Sequence, residues 1–183
     1  MITRRQCQSL QERAARMFDA AGIYLSPEER GRIEVADFGL GQPEAEGAQI
    51  FTFVQTDRYA AKVIALLPGQ TLPEHWHPPV GSDPGKQETV RAAWGRCYIC
   101  ADGPDTLSQA RVVPAKGPVY TARCEQVFDA GTTRTFEPGE KHWFQAGPEG
   151  AVLYSFSSVV RDAQDGFTDP AIERTTRIVE DRA

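Results

Sequence analysis

The sequence predicts a mainly β domain with helices at its N-terminus, and three observations point there. After Gly39 the chain becomes a series of short β-branched and aromatic runs separated by Gly, Pro and Asp, the pattern of an all-β sandwich or barrel. Before it lie two stretches with helical spacing and helix-start signals. The 183 residues, 40% of them apolar, suffice for one substantial core, and no repeat, linker or low-complexity tract divides them. The expected organisation is a single domain over 1–183, with a helical segment at 1–38, a β-barrel at 39–160 and a C-terminal tail at 161–183.

Each element has its own justification. In "RRQCQSLQERAARMFDAAG", Leu10, Ala14, Met17, Phe18 and Ala21 recur every three or four residues and Gly22 supplies the stop, which predicts an amphipathic first helix. "SPEERGRIEVADFG" opens with Ser26 as N-cap, Pro27 at the first helical position and Glu29 three after the cap, a capping box for a short second helix. "QIFTFVQT", "RYAAKVIALL", "TVRAAWGRCYIC", "ARVVPA", "TRTFEPG" and "GAVLYSFSSVV" read as strands, and the charged tail from Arg161 is expected to wrap the outside.

Several function classes are excluded by composition. A net charge of -5 with scattered Lys and Arg leaves no stripe for a phosphate backbone, so no nucleic-acid partner is expected. No apolar run approaches a membrane span and the N-terminus lacks a signal-type apolar stretch, so a soluble, cytoplasmic protein is expected. Cys97 and Cys100 form the one C-x-x-C, but in a strand residues three apart face opposite ways, so burial is the expected role.

The chemistry concentrates in "EHWHPPVGSDPGKQETVRAAWG" and "EPGEKHWF". His75 and His77 are two apart in a strand and share a face, where two imidazoles can chelate one cation. An isolated H-x-H is more often a pair on a solvated face. Here the third and last histidine, His142, lies in the second motif and Glu88 opens the next strand-like run, so every histidine falls in a candidate site.

These segments resemble the cupin superfamily. Gly69, five residues, His75-x-His77, a gap, then Glu88, six residues and Gly95 follow its first motif. "EPGEKHWFQA" is similar to the second, with Pro138 directly before Gly139 and Ala146 where Asn is usual. The resemblance implies a double-stranded β-helix, or jelly roll, in which His75, His77, Glu88 and His142 hold a divalent metal at the barrel mouth. Such a donor set suits Mn, Fe, Co, Ni or Zn more than Ca or Mg. The gap before Glu88 is long, ten residues, and Lys86 within it lies two from Glu88, which fits a rim loop that brings a cation beside the metal.

Over nearly its whole length the chain resembles the D-lyxose isomerase family of cupins, through "IEVADFGLG", "TDRYAAKVIALLPGQTLPEHWHPPV", "PGKQETVRAAWG", "HWFQAGPEGAV" and "FTDPAIER". The resemblance implies a sugar substrate, a metal that is most often Mn, and aldose-ketose interconversion through an enediolate, with Lys86 as the active-site lysine. Where the family often carries a Glu as proton-transfer base, this chain has Ser155. Lys62, charged within an apolar strand pattern, and Asp162 and Asp165 after the last core strand are further catalytic candidates. Phe144, on the face of His142, is expected to wall the pocket, and Trp76, between two histidines, to face away. A homodimer is expected, since cupin sheets leave edges and an outer face to cover. The alternatives are a metal-dependent cupin dioxygenase and a non-catalytic sugar-binding cupin.

Overall fold

A computed structural model describes residues 1–181. The chain opens with β1 (Ile2–Thr3) and α1 (Arg4–Ala20). Thr3 caps the helix: its hydroxyl accepts from the Gln6 N–H at 3.2 Å while the Gln6 side chain accepts from the Thr3 N–H at 2.8 Å. The apolar stripe read from the sequence is buried, with Leu10, Ala14 and Phe18 at 3% exposure or less. A side chain such as Phe18 contributes roughly 1.5–3 kcal/mol by leaving water. α2 (Pro27–Gly31) is the single turn begun by the Ser26 capping box.

The β-body follows as β2 (Glu34–Ala36), β3 (Ala48–Gln55), β4 (Ala60–Leu66), β5 (Thr71–Trp76), β6 (Glu88–Ala101), β7 (Cys124–Asp129), β8 (Thr133–Phe136), β9 (His142–Ser157), β10 (Gly166–Phe167) and β11 (Ile178–Val179). The long central strand β9 forks the sheet. Its first half pairs with β5 and the far end of β6, and its second half pairs with β4 and the near end of β6. β6 turns the corner at bulges flanking Gly95, which sits at φ 69° against the backbone of Gly150, where a Cβ would strike the Gly150 carbonyl. The result is a curled, mainly antiparallel sheet closed around an interior of Ile64, Leu66, Val90, Leu153, Phe136 and Phe144.

Two covers complete the fold. α1 and the segments flanking α2 pack Phe18, Leu25 and Ile33 on the outer side of Phe51, Val63 and Val152. On the other outer side a long segment, 102–123, lays Tyr120 and Ala122 over Cys100 and Trp143. The expected strand at "ARVVPA" is absent from this segment. Side chains take its backbone donors: Glu125 accepts from the N–H of Ser108, Gln109 and Ala110, and Gln145 from that of Arg111, so no ladder forms. The tail also differs from expectation. β10 joins the sheet beside β5, and Arg174 lies among the groups around the barrel mouth, so this part of the tail helps to build the interior. Cys97 and Cys100 are buried on opposite faces, in separate clusters. Among the described residues no helix is long and apolar enough to cross a membrane.

Candidate active site

Strand parity sets the site. On β5, His75 turns inward while Glu74 and Trp76 turn out, and His77 follows on the inward side. His75 faces His142, the first residue of β9, directly across the ladder, and Glu88 is the first residue of β6. The ring centroids of His75 and His142 are 4.4 Å apart, and each is 5.2 Å from that of His77. One donor atom from each of His75, His77, Glu88 and His142 lies within 4.8 Å of all the others, and all four residues are buried.

The tautomers follow from the outer partners. His75 Nδ1 is 2.9 Å from the Pro73 carbonyl and His142 Nδ1 is 2.8 Å from the Glu140 carbonyl. A carbonyl only accepts, so both rings donate at Nδ1 and turn a lone pair at Nε2 toward the cluster. His142 Nε2 is buried and has no hydrogen-bond partner. Burial, with the neighbouring imidazoles, lowers both: His75 to about 4, and His142 well below the usual imidazole range. His77 differs, because carboxylates flank both nitrogens, Asp165 Oδ1 at 2.8 Å from Nδ1 and Glu88 Oε2 at 3.0 Å from Nε2. Burial opposes its charge, but these two hydrogen bonds prevail and its pKa rises. Burial likewise opposes ionised Glu88, yet Lys86 and His77 hold its carboxyl well below the usual range.

This donor set fits a divalent transition metal. Three imidazole nitrogens, one of them an orphaned buried lone pair, converge with one carboxylate, the mix that suits Mn, Fe, Co, Ni or Zn. The hydrogen bonds behind the rings fix their orientation as outer partners of metal-binding histidines do.

Beside the cluster runs a charged arc. Asp162, in the 3-10 turn Asp162–Gln164, receives Lys62 from β4, Lys86 at 3.3 Å and Arg174 at 3.5 Å. Burial would raise the Asp162 carboxyl, but Lys86 and Lys62 outweigh it and hold it far below the carboxylate range. Burial would lower Lys86, but Glu88, Asp162 and Asp165 outweigh it and its pKa is raised. Phe38, Ile50, Ile64, Phe144 and Phe167 supply apolar wall to the same cavity.

The expected residues therefore meet. Lys86 lies beside Glu88 and is buried, 8% exposed, because the 78–87 loop folds back at Gly85, whose φ is 109° and whose position leaves no room for a Cβ beside the His77 carbonyl. Asp165 sits behind His77. Lys62 points into the cavity, Phe144 walls it, and Trp76 lies outside with the Lys141 ammonium 5.6 Å from its ring. Arg174 is not singled out by the sequence, where one Arg of four in a charged tail carries no periodic signal. Ser155, on β9, donates its hydroxyl to Glu88 Oε1.

No family model matches the sequence. Curated relatives do. A D-lyxose ketol-isomerase from Cohnella laeviribosi is 52% identical over 164 residues, 89% of this chain and 90% of that protein. A D-lyxose/D-mannose isomerase from Thermosediminibacter oceani is 45% identical over 180 residues, 97% of this chain and 99% of the other. Among solved structures, a mutant L-ribose isomerase from Acinetobacter sp. DL28 in complex with L-ribose superposes with a TM-score of 0.82 at 14% identity, covering 97% of this chain and 98% of that one. L-ribose isomerase from Cellulomonas parahominis gives 0.78 at 16% identity with the same coverage. At such identities these two speak for the fold, a cupin-type barrel with an N-terminal helix.

Proposed function

The chain belongs to the D-lyxose ketol-isomerase family, and from that membership we propose that it interconverts an aldose and a ketose of the D-lyxose/D-xylulose type through an enediolate. His75, His77 and His142, through Nε2, and Glu88, through a carboxylate oxygen, hold a divalent metal, Mn in the first instance. That ion supplies Lewis acidity to the sugar's C1 and C2 oxygens.

The chain's own residues do the rest. Lys86 Nζ, 3.8 Å from Glu88 Oε2, stands where charge builds on a sugar oxygen beside the cluster and offers it an ammonium donor. Asp162 fixes that ammonium and the one on Lys62 in a single orientation, so neither must reorganise as the proton moves. Lys62 faces the sugar from β4 as a second ammonium donor beside the developing charge, and Asp165 holds the His77 ring through Nδ1 so that Nε2 stays aimed at the cluster. Held far below the carboxylate range by its lysines, Asp162 is an anchor and a weak proton acceptor. The apolar wall of Phe38, Phe144 and Phe167 excludes water from the intermediate.

The observation that carries this reading is the orphaned Nε2 of His142 among three more donor atoms, beside an ion-paired Lys86, in a chain so similar to named sugar isomerases. Incubating the Mn-loaded protein with D-lyxose and D-mannose should yield the corresponding ketoses. Oxygen uptake by the iron form without ketose formation would favour a dioxygenase, and sugar binding without turnover a binding protein.

Action as a cytoplasmic homodimer completes the proposal. The four cysteines are all unpaired, which suits a reducing compartment. Phe53 on β3 and Phe156 on β9 are exposed on either side of β4, an outer face suited to cover by a second copy. A monomer by light scattering at micromolar concentration would count against it.

A further inference from the structure

We propose that Ser155 makes Glu88 a one-oxygen ligand and thereby keeps two coordination positions open for the sugar. The inference rests on the metal site proposed above. Glu88 presents its two oxygens to different partners: Oε2 faces His77 Nε2 at 3.0 Å, inside the cluster, and Oε1 accepts the hydroxyl hydrogen of Ser155. Ser155 is 2% exposed and sits in mid-ladder, paired with Lys62 of β4 on one side and Val90 of β6 on the other. Its backbone is fixed on both edges and its side chain is short, so the hydroxyl holds Oε1 toward β9 with little freedom to follow the carboxylate elsewhere.

The count of donors gives the consequence. Three imidazoles and one carboxylate oxygen make four protein donors, which leave two positions of an octahedral set for the two oxygens of an aldose. If both Glu88 oxygens turned to the ion, five donors would leave one position, and the sugar could not chelate. A two-oxygen carboxylate also favours larger hard cations, as calcium sites show. Ser155 is thus a positioning residue that acts through Glu88, with a role in metal choice as well as in substrate binding.

The test loads Mn into wild-type protein, Ser155→Ala and Ser155→Thr and measures water-proton relaxation, which reports the exchangeable waters on the ion. Wild type should carry two such waters and Ser155→Ala about one, nearly halving the relaxation enhancement. Ser155→Ala should also shift the Ca-to-Mn affinity ratio toward Ca by about tenfold, the usual scale of outer-partner effects. Its KM for D-lyxose should rise, with metal saturated, more than its kcat falls. Ser155→Thr keeps the hydroxyl and should behave as wild type. Unchanged relaxation and Ca-to-Mn ratio in Ser155→Ala, or a Thr variant that shifts as Ala does, would overturn the role of Ser155 alone. Wild-type protein that takes up no Mn would instead overturn the metal site on which the inference rests.

Discussion

β5 divides two buried polar networks that look alike in composition and differ in what they leave undone. On its outer side Glu74 is 1% exposed and accepts from the Thr121 hydroxyl at 2.8 Å, the Ala122 N–H at 2.7 Å and the Thr168 hydroxyl at 2.5 Å. Nearby, Lys116 bridges Glu46 at 2.6 Å and Asp169 at 2.8 Å, and Tyr120 donates to Glu46 at 2.6 Å. Each of these carboxylates is answered, and together they bind the 102–123 segment to Glu46, to β5 and to Thr168 and Asp169. On the inner side, one residue away, His142 Nε2 has no partner and three more donor atoms crowd toward it. Burial and charge are common to both networks. One unanswered nitrogen, His142 Nε2, among converging donor atoms marks the inner one as a place for a ligand, and full satisfaction marks the outer one as a fastening.

The most damaging change to this contrast removes two inner donors together. His75→Ala with His77→Ala should abolish metal retention and with it turnover, a loss beyond the roughly hundredfold that outer partners alone control. Full metal occupancy in that variant, by elemental analysis, would end the assignment. Acid should empty the site by the same route. Burial opposes charge on His77, but Asp165 and Glu88 raise its pKa above the ordinary imidazole value, so protons compete for its Nε2 at a higher pH than for His75, which resists to about 4. Bound metal should therefore fall as pH drops, first as His77 gains its proton and further as His75 does, read by dialysis across a pH series.

Next in size is Lys86→Ala. Turnover should fall on the order of a hundredfold to a thousandfold with metal saturated, the cost of losing a charge-assisted contact made in the transition state. Stability should fall too, by at most a few kcal/mol, because Asp162 keeps Lys62 and Arg174 when this buried partner is lost. Activity that returns on adding metal would mean that Lys86 serves Glu88 and not the sugar. Smallest is Glu74→Gln, which keeps a carbonyl oxygen for the Ala122 N–H but replaces the charged acceptor shared by the Thr121 and Thr168 hydroxyls with an amide donor. Melting should fall by the equivalent of about 1–3 kcal/mol, with metal content and kcat kept. Metal loss in this variant would show that β5 couples the two networks and that their separation is only apparent.

The sequence made the inner donors legible for a local reason. A ligand pair two residues apart in a strand, a carboxylate at a strand start and a histidine after a Pro-Gly turn are short-range patterns, and so is the charged break at Lys62 in an apolar run. What stayed hidden comes from distant segments. Asp162 meets Lys62 across 100 residues, Arg174 arrives from the tail, and Ser155 shows its purpose only beside Glu88, 67 positions earlier. The false strand at "ARVVPA" has the right residues, but Glu125 and Gln145 capture the backbone donors beside it, an event that propensity does not encode. The burial of Lys86 depends on the backbone reversal at Gly85, where Pro and Gly promise a turn without giving its direction.

The alternation along β5 limits how this chain can change in length. β5 already carries one irregularity between Leu72 and His75, which lets both face the interior. Beyond it the alternation is strict, and an extra residue between Glu74 and His75 would carry both histidines out and turn Trp76 into the barrel, emptying the inner network. The 78–87 loop spans two strand ends and obeys no such parity, provided that its last turn still delivers Lys86. Length variation among functional relatives should collect there, in odd and even steps alike, while the distance from Gly69 to His77 stays fixed.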